Sequence, residues 1–376
     1  MSSHDFDVVV IGGGLHGLSA ALHIAREGRT VVVLERAWVG RHASGASAAG
    51  VRTLGRDPAE LALSLEARHM WHAIAELVGD DCGFHSHGQV RIAESEAEIE
   101  KLERRVALIQ GLGYRHEELV DRVELRRLVP ALASHCMAAI VVREDGAADP
   151  HRTIIAFRRS AEAAGVVIHE GQGVVAIEQR AGRWAVRTSA DDYVAPVVVN
   201  AAGAWAGRIA AMIGDDIPLG TKTSMMIVTE RVEPFLGPVV TAAGRALSFK
   251  QTDKGTLLVG GGRQGIPDLD RETSTVNLQE IAASARTVCE LFPGVSDVRV
   301  ARVWAGLEAI TTDMVPVIGP SPQAAGIIHV FGFSGHGFQL VPVAGAVVAD
   351  FAVRGRTARE VRVLQAQRLM VQRAAA

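Results

Sequence analysis

Residues 8–36 read VVVIGGGLHGLSAALHIAREGRTVVVLER, and this stretch decides the fold. Val8–Ile11 is a short apolar run of the kind a fully buried strand shows, and Val31–Leu34 is a second. Between them Gly12, Gly14 and Gly17 stand in G-x-G-x-x-G spacing, and residues 18–27 carry apolar side chains at helical period. Glu35 follows, 18 positions past the third glycine, with Arg36 beside it. Strand, glycine turn, helix, strand and acid together predict a βαβ unit that binds a dinucleotide. Gly12 permits the tight turn, Gly14 lets backbone approach a pyrophosphate, and Gly17 lets helix and strand pack closely. The helix N-terminus offers unpaired N–H groups and a positive dipole end to the phosphates. Glu35 is placed to accept hydrogen bonds from an adenosine ribose, and its charge repels a 2′-phosphate.

The rest of the chain bounds the answer. At 376 residues it is long for one core, so two domains are expected. A composition of 48% hydrophobic and 22% charged residues is that of an ordinary globular protein, and a formal charge of −3 points to neither nucleic acid nor an anionic membrane as partner. The first strand begins within residues 6–8, which leaves no room for a signal peptide, and apolar runs such as 340–349 are too short to span a bilayer. Cys82, Cys136 and Cys289 are odd in number and widely spaced, which fits a reducing, cytoplasmic setting without disulfides or a zinc site.

Beyond the βαβ unit, residues 41–56 (RHASGASAAGVRTLGR) are small and hydroxyl-rich, suited to chain that lies against something flat. Helices are expected at 58–77, 94–112, 152–164, 276–292 and 338–351. Strands are expected at 88–93, 166–169, 174–177, 184–188, 193–200, 225–230, 247–251, 256–260 and 327–331. The run at 193–200 breaks at Ala202, Gly203 and Trp205, and residues 331–337 (FGFSGHG) lead into the last helix. Three small-residue turns therefore face three helix starts. The fold class that follows is α/β (α+β): a Rossmann-like dinucleotide domain from residues 1–80, 145–215 and 301–376, and an antiparallel-sheet substrate domain from 81–144 and 216–300.

The glycine unit, SGASAAG at 44–50, NAAGAWA at 200–206, TTDMVPVIG at 311–319 and GFSGHGF at 332–338 together resemble the D-amino-acid oxidase superfamily of flavoproteins. Within it the chain is most similar to the sarcosine oxidase, glycine oxidase and amino-acid dehydrogenase branch. GASAAGVRTLGR and GFSGHGFQL also resemble the flavin-bearing subunits of opine, hydroxyproline and cyanide-forming glycine dehydrogenases. The resemblance implies non-covalent FAD, since the cysteine that some members bond to flavin has no counterpart in 304–338. It implies oxidation of a C–N bond by hydride transfer to flavin N5, giving an imine that hydrolyses, with oxygen or another carrier as electron acceptor. The cofactor-binding residues it implies are Gly12, Gly14, Gly17, Glu35, Arg36, Ser44, Gly45, Ala46, Ser47, Gly50, Val174, Ala202, Gly203, Trp205, Gly306, Gly335, His336, Gly337, Phe338 and Gln339. A helix start with free N–H groups at Gly335 and Gly337 stabilises negative charge at the ring's pyrimidine edge, as an oxyanion hole does.

Several side chains have two readings. Arg52 favours an anionic flavin or makes a structural ion pair. Arg56 holds a substrate carboxylate or sits at the surface. His336 acts through its backbone or as a catalytic side chain, and His42 reaches the flavin or decorates its loop. His85 and His87 share a strand face, but no third metal ligand stands near them. The arginines from Arg354 to Arg373 form a solvated face or a docking surface for a partner subunit. Two departures from the family stand out: Gln339 replaces the lysine of sarcosine oxidases, and Glu308 replaces the arginine of glycine oxidases. Either Arg52, Arg56 or Arg263 binds the carboxylate from another direction or the substrate is not a simple amino acid, and Glu308 suits a cationic or hydroxyl-bearing substrate group. The run GTLLVGGG at 255–262 lacks the lysine with which oxidases of this branch activate oxygen, which favours a dehydrogenase. An NAD-dependent dehydrogenase is the competing class, and it leaves the late glycine loops without a task.

Overall fold

In the computed structural model, which describes residues 3–374, Val8–Ile11, Leu15–Arg26 and Val31–Leu34 form strand, helix and strand, with Val8 opposite Val31 and Ile11 opposite Leu34 in parallel register. Both strands are buried on both faces, because successive side chains point to opposite sides of the sheet. Val8, Val10, Val31 and Val33 pack under the helices Leu15–Arg26, Pro150–Ala163 and Gly337–Arg354. Val9, Ile11, Val32 and Leu34 pack instead against Val186 and Tyr193 of a small four-stranded sheet. The central sheet runs Val317–Pro320, Ile327–Phe331, Val197–Asn200, Val8–Ile11, Val31–Leu34, Val167–His169, and it is parallel except at its first pair.

A second sheet of eight strands runs Val300–Thr311, Leu219–Arg231, Thr256–Gly260, Ser248–Gln251, Val239–Ala242, Gln89–Ala93, Ala138–Val142, Glu118–Val120. It is antiparallel except where Val239–Ala242 meets Gln89–Ala93. Its back is a separate core in which Val90, Ile92, Phe249 and Val259 meet Val288 and Leu291 of the helix Leu278–Leu291. The other face looks toward the C-terminal ends of the parallel strands, and the site lies there.

Four expectations change. The run 193–200 is two strands, Asp192–Ala195 and Val197–Asn200, in different sheets. Pro196 between them has no N–H to give to a continuous ladder. The helix expected at 58–77 is a turn at Pro58–Glu60 followed by Leu61–His72 and Ile74–Val78. Val300–Thr311, which the boundary at 301 gives to the dinucleotide domain, pairs along Leu219–Arg231 in the second sheet; only from Val317 does the chain rejoin the first. Finally, Gly337–Arg354 is an 18-residue helix long and apolar enough, by length and composition, to cross a membrane, although 61% of it is buried within the fold. It crosses Leu15–Arg26 so closely that a Cβ on Gly345 would lie 2.1 Å from Oγ of Ser19.

Candidate functional site

The glycine turn is built as its spacing demands. Gly12 has φ +108°, and a Cβ on it would stand 2.5 Å from the carbonyl oxygen of Ala201; one on Gly17 would stand 2.0 Å from that of Gly12. No side chain fits at either position. Gly14 caps the helix without a side-chain bond of its own, and the N–H of Leu15 donates to Oγ of Ser44 at 3.0 Å. The 41–56 loop thereby reaches the phosphate-binding end of the unit. Glu35 accepts from the N–H of Gly13 at 2.7 Å and of Ala37 at 2.8 Å, and burial raises its carboxyl. It staples the turn as well as facing the cleft.

Around Glu35 lies a cavity of about 130 Å³ whose walls include Gly12, Ser44, Val174, Ala202, Gly203 and Trp205. The guanidinium of Arg36 sits 4.5 Å from the centre of the Trp205 ring and pairs with Glu272 at 3.0 Å. His42 lies 4.6 Å from the same ring, and burial pushes its imidazole down to about 4. Through Gly14, Ser44 and Gly203 this space opens into a larger cavity of about 590 Å³ between the two sheets.

The larger cavity is framed by close backbone approaches. Indole Nε1 of Trp304 donates to the carbonyl of Ala46 at 3.0 Å, and a Cβ on Gly306 would lie 2.5 Å from that of Ala46. The loop 44–50 is held there with Gly45 folded onto the carbonyl of Gly40 (2.9 Å), Oγ of Ser47 accepting the N–H of Ala49 (2.9 Å), and Gly50 paired with Ala147. Across the cavity Gly335 has φ +92°, and a Cβ there would lie 2.8 Å from Nζ of Lys222. Gly337 begins the last helix with no side-chain cap, and Phe338 lines the wall beside it. His16, inside the glycine motif, stacks on Phe333 at 3.7 Å, and its Nδ1 is buried without a partner. Burial holds that ring down to about 3, so it is a neutral donor or acceptor facing the cleft.

This cleft fits FAD. A carboxylate stands at one end, an uncapped helix start at the middle, and a second helix start beside an imidazole with its Nδ1 unpartnered at the wide end. Glu35, Leu15 with Ser44, and the 333–338 loop would hold ribose, pyrophosphate and ring respectively.

Arg52, Arg56, Glu308 and His336 all line the larger cavity. Arg56 is 3% exposed, so it is no surface arginine; Nε donates to the carbonyl of Arg52 (2.8 Å) and Nη2 to that of His336 (3.1 Å), while burial pushes it down to about 9. His336 faces Glu60 across 3.0 Å, and burial lowers its imidazole. Glu308 accepts from Ser224 at 2.9 Å and stands opposite Lys222 in the ladder; burial raises its carboxyl.

Other candidates are elsewhere. Arg263 lies outside the cavity walls and pairs with Glu280 at 2.6 Å. Gln339 also points away: its side chain accepts from Oγ of Ser64 at 2.9 Å, and its carbonyl from Nε1 of Trp71 at 2.7 Å. Gln339, the third residue of the helix, is fully buried on its packing side. The His85 and His87 rings lie 4.3 Å apart, tilted by 34°, and no group of three side chains that could hold a metal exists among the described residues. The C-terminal arginines are fasteners as much as surface: Arg354 pairs with Glu27, Arg359 with Glu66, and Arg368 with Asp313. The side chain of Arg373 lies outside the described residues.

Four titratable wall residues lie outside the set expected from sequence: His16, Arg91, Lys222 and Arg245. Arg91 had a signal, because it alternates with the core residues Val90 and Ile92 and so must face the other side. A lysine does line the cavity, Lys222 of the neighbouring strand Leu219–Arg231.

Residues 7–351 match the family described as FAD dependent oxidoreductase. Glycine oxidase from Geobacillus kaustophilus is 26% identical over 367 residues, 95% of each chain. One of the subunits of opine oxidase from Agrobacterium tumefaciens is 28% identical over 382 residues, 99% of this chain and 100% of that one. The crystal structure of L-proline dehydrogenase from P. horikoshii superposes with a TM-score of 0.92 over 99% of both chains at 26% identity. By fold, cleft and a family match over nearly its whole length, the chain belongs to the FAD-dependent oxidoreductase family, and FAD is its cofactor.

Proposed function

We propose that the chain oxidises the C–N bond of an amino acid or secondary amine to an imine that water then hydrolyses. The observation that carries this reading is the convergence of Arg52, Arg56 and Glu308 on one cavity beside the start of the last helix. Bound in this cleft, FAD would supply the hydride acceptor for oxidation of the carbon next to nitrogen. The chain supplies the rest. Glu308, with its carboxyl raised by burial, is a stronger base than an exposed glutamate, and it takes the proton from the substrate ammonium so that the reacting amine is neutral. Lys222 opposite it offsets the charge. Arg52 binds the substrate carboxylate, with Arg56 holding the Arg52 and His336 backbone in place. The free N–H groups at the helix start by Gly337 would stabilise negative charge on a flavin ring held there. The cysteines at 82, 136 and 289 are free and line neither cavity, in keeping with non-covalent FAD and a cytoplasmic location. A domain division near residues 80, 145, 215 and 312 goes with this reading.

Anaerobic mixing of the yellow protein with D-, L- and N-alkyl amino acids is the test. Bleaching of the flavin absorbance by at least one of them is expected. A flavin that dithionite bleaches and none of the amines does overturns the reading. A second arrangement, a flavin-bearing subunit that passes electrons within a heteromeric complex, is favoured by the full-length likeness to one chain of an opine oxidase.

A further inference from the structure

Of the cationic side chains on the larger cavity, some are already matched. Arg245 pairs with Glu94 and Glu290, Arg56 gives its N–H groups to two carbonyls, and Lys222 stands opposite Glu308. Arg52 and Arg91 are different. They come from different parts of the fold, the 41–56 loop and the strand Gln89–Ala93, and they converge over Gly55. A Cβ on Gly55 (φ +71°) would lie 3.2 Å from Nη1 of Arg91 and 3.9 Å from Nη1 of Arg52. Nε of Arg91 is buried with no hydrogen-bond partner, and among the described residues neither guanidinium donates to a protein acceptor or forms an ion pair.

The carboxylates nearby offset part of this charge, Glu117 at both guanidiniums and Asp145 and Glu60 at Arg52, but each is hydrogen-bonded to other groups. Glu117 holds Arg105 and the N–H of Gly55; Asp145 holds the N–H groups of Thr53 and Leu54 and the Thr53 hydroxyl; Glu60 faces His336. Burial, together with the charge of Arg91, holds Arg52 below the usual arginine value, and burial with Arg105 does the same to Arg91. Two guanidinium groups side by side in a half-buried wall repel one another, and each gains from a carboxylate of its own. Each is a planar fork of N–H donors that fits a carboxylate edge-on.

We propose that Arg52 and Arg91 form an anion subsite over Gly55 and that the substrate is a dicarboxylic amine, one carboxylate on each guanidinium. This rests on the amine-oxidising reading of the cavity and narrows it. Gly55 serves the subsite by leaving open the space a side chain would fill.

The test uses the FAD-loaded protein and two non-reacting four-carbon acids, succinate and butyrate, titrated against the visible flavin spectrum and by calorimetry. Succinate binds at least about tenfold more tightly than butyrate, the equivalent of one charge-assisted contact. Arg91→Gln abolishes that preference and Arg91→Lys keeps part of it, which guards against a merely misfolded variant. Equal affinity for the two acids overturns the proposal. So does an R91Q protein that binds succinate as the parent does, or one whose resting flavin spectrum shifts while its succinate affinity stays. The two readings fail separately: succinate bound through Arg91 with a flavin no amine bleaches discards amine oxidation, whereas bleaching without any preference for succinate discards only the subsite.

Discussion

Nη2 of Arg56 donates to the carbonyl oxygen of His336 at 3.1 Å, across 280 positions of sequence. That one bond ties the loop after the first glycine unit to the loop that opens the last helix. A buried arginine with both bonds to carbonyls is a strut before it is a ligand.

Arg56→Met removes the donors of two carbonyls, those of Arg52 and His336. Leaving buried acceptors unpaired costs about 1–3 kcal/mol each. A fall of several degrees in Tm is expected, together with faster loss of FAD on dialysis. Urea unfolding and the ratio of visible to ultraviolet absorbance measure the two effects.

Gly306→Val places side-chain atoms where even a Cβ comes within 2.5 Å of that of Ala46. Overpacking of this kind costs about 1–3 kcal/mol, and here it pushes the 44–50 loop off the strand. The variant is expected to purify largely colourless while keeping its far-ultraviolet circular dichroism.

Glu308→Gln keeps a partner for Ser224 and removes the base. The ratio kcat/KM at about pH 7 is expected to fall roughly 100-fold or more, the size of a general-base contribution. Stability moves the other way. Burial raises this carboxyl above its ordinary 4.5, so the folded chain holds the proton more tightly than the unfolded one. The parent therefore loses stability as pH rises above that value, and the glutamine variant does not. Melting curves at about pH 4 and pH 8 should converge at the first and separate in favour of the variant at the second.

His23 is half-buried between the first and last helices, with its buried Nε2 unpaired, and burial pushes it from 6.5 down to about 4. The unfolded ring takes up a proton more readily than the folded one. Its contribution to stability is full above pH 6.5 and is lost as pH falls towards about 4, up to about 3 kcal/mol in all. His23→Gln should flatten the fall in urea midpoint between about pH 7 and pH 5.

Much of this was legible in the chain. The βαβ unit needed only local pattern: two all-apolar runs, a glycine spacing and an acid in register. Strand alternation carried more than was drawn from it, since Val90 and Ile92 in one core oblige Arg91 to face the other way. The side chains of Gln339 and Arg263 turn away from the cavity, and motif position says nothing of which way a side chain turns once a helix or loop is packed.

The sequence by itself determined the cofactor class and the kinds of secondary structure, because periodicity and glycine placement act over a few residues and need no distant partner. Tertiary structure alone decided which charges share the cavity. Lys222 meets Glu308 through the register of two strands more than 80 residues apart, and Arg91 meets Arg52 over Gly55 because a second sheet closes on the first. Such encounters follow from how whole layers pack to bury their apolar faces, and no local pattern encodes them.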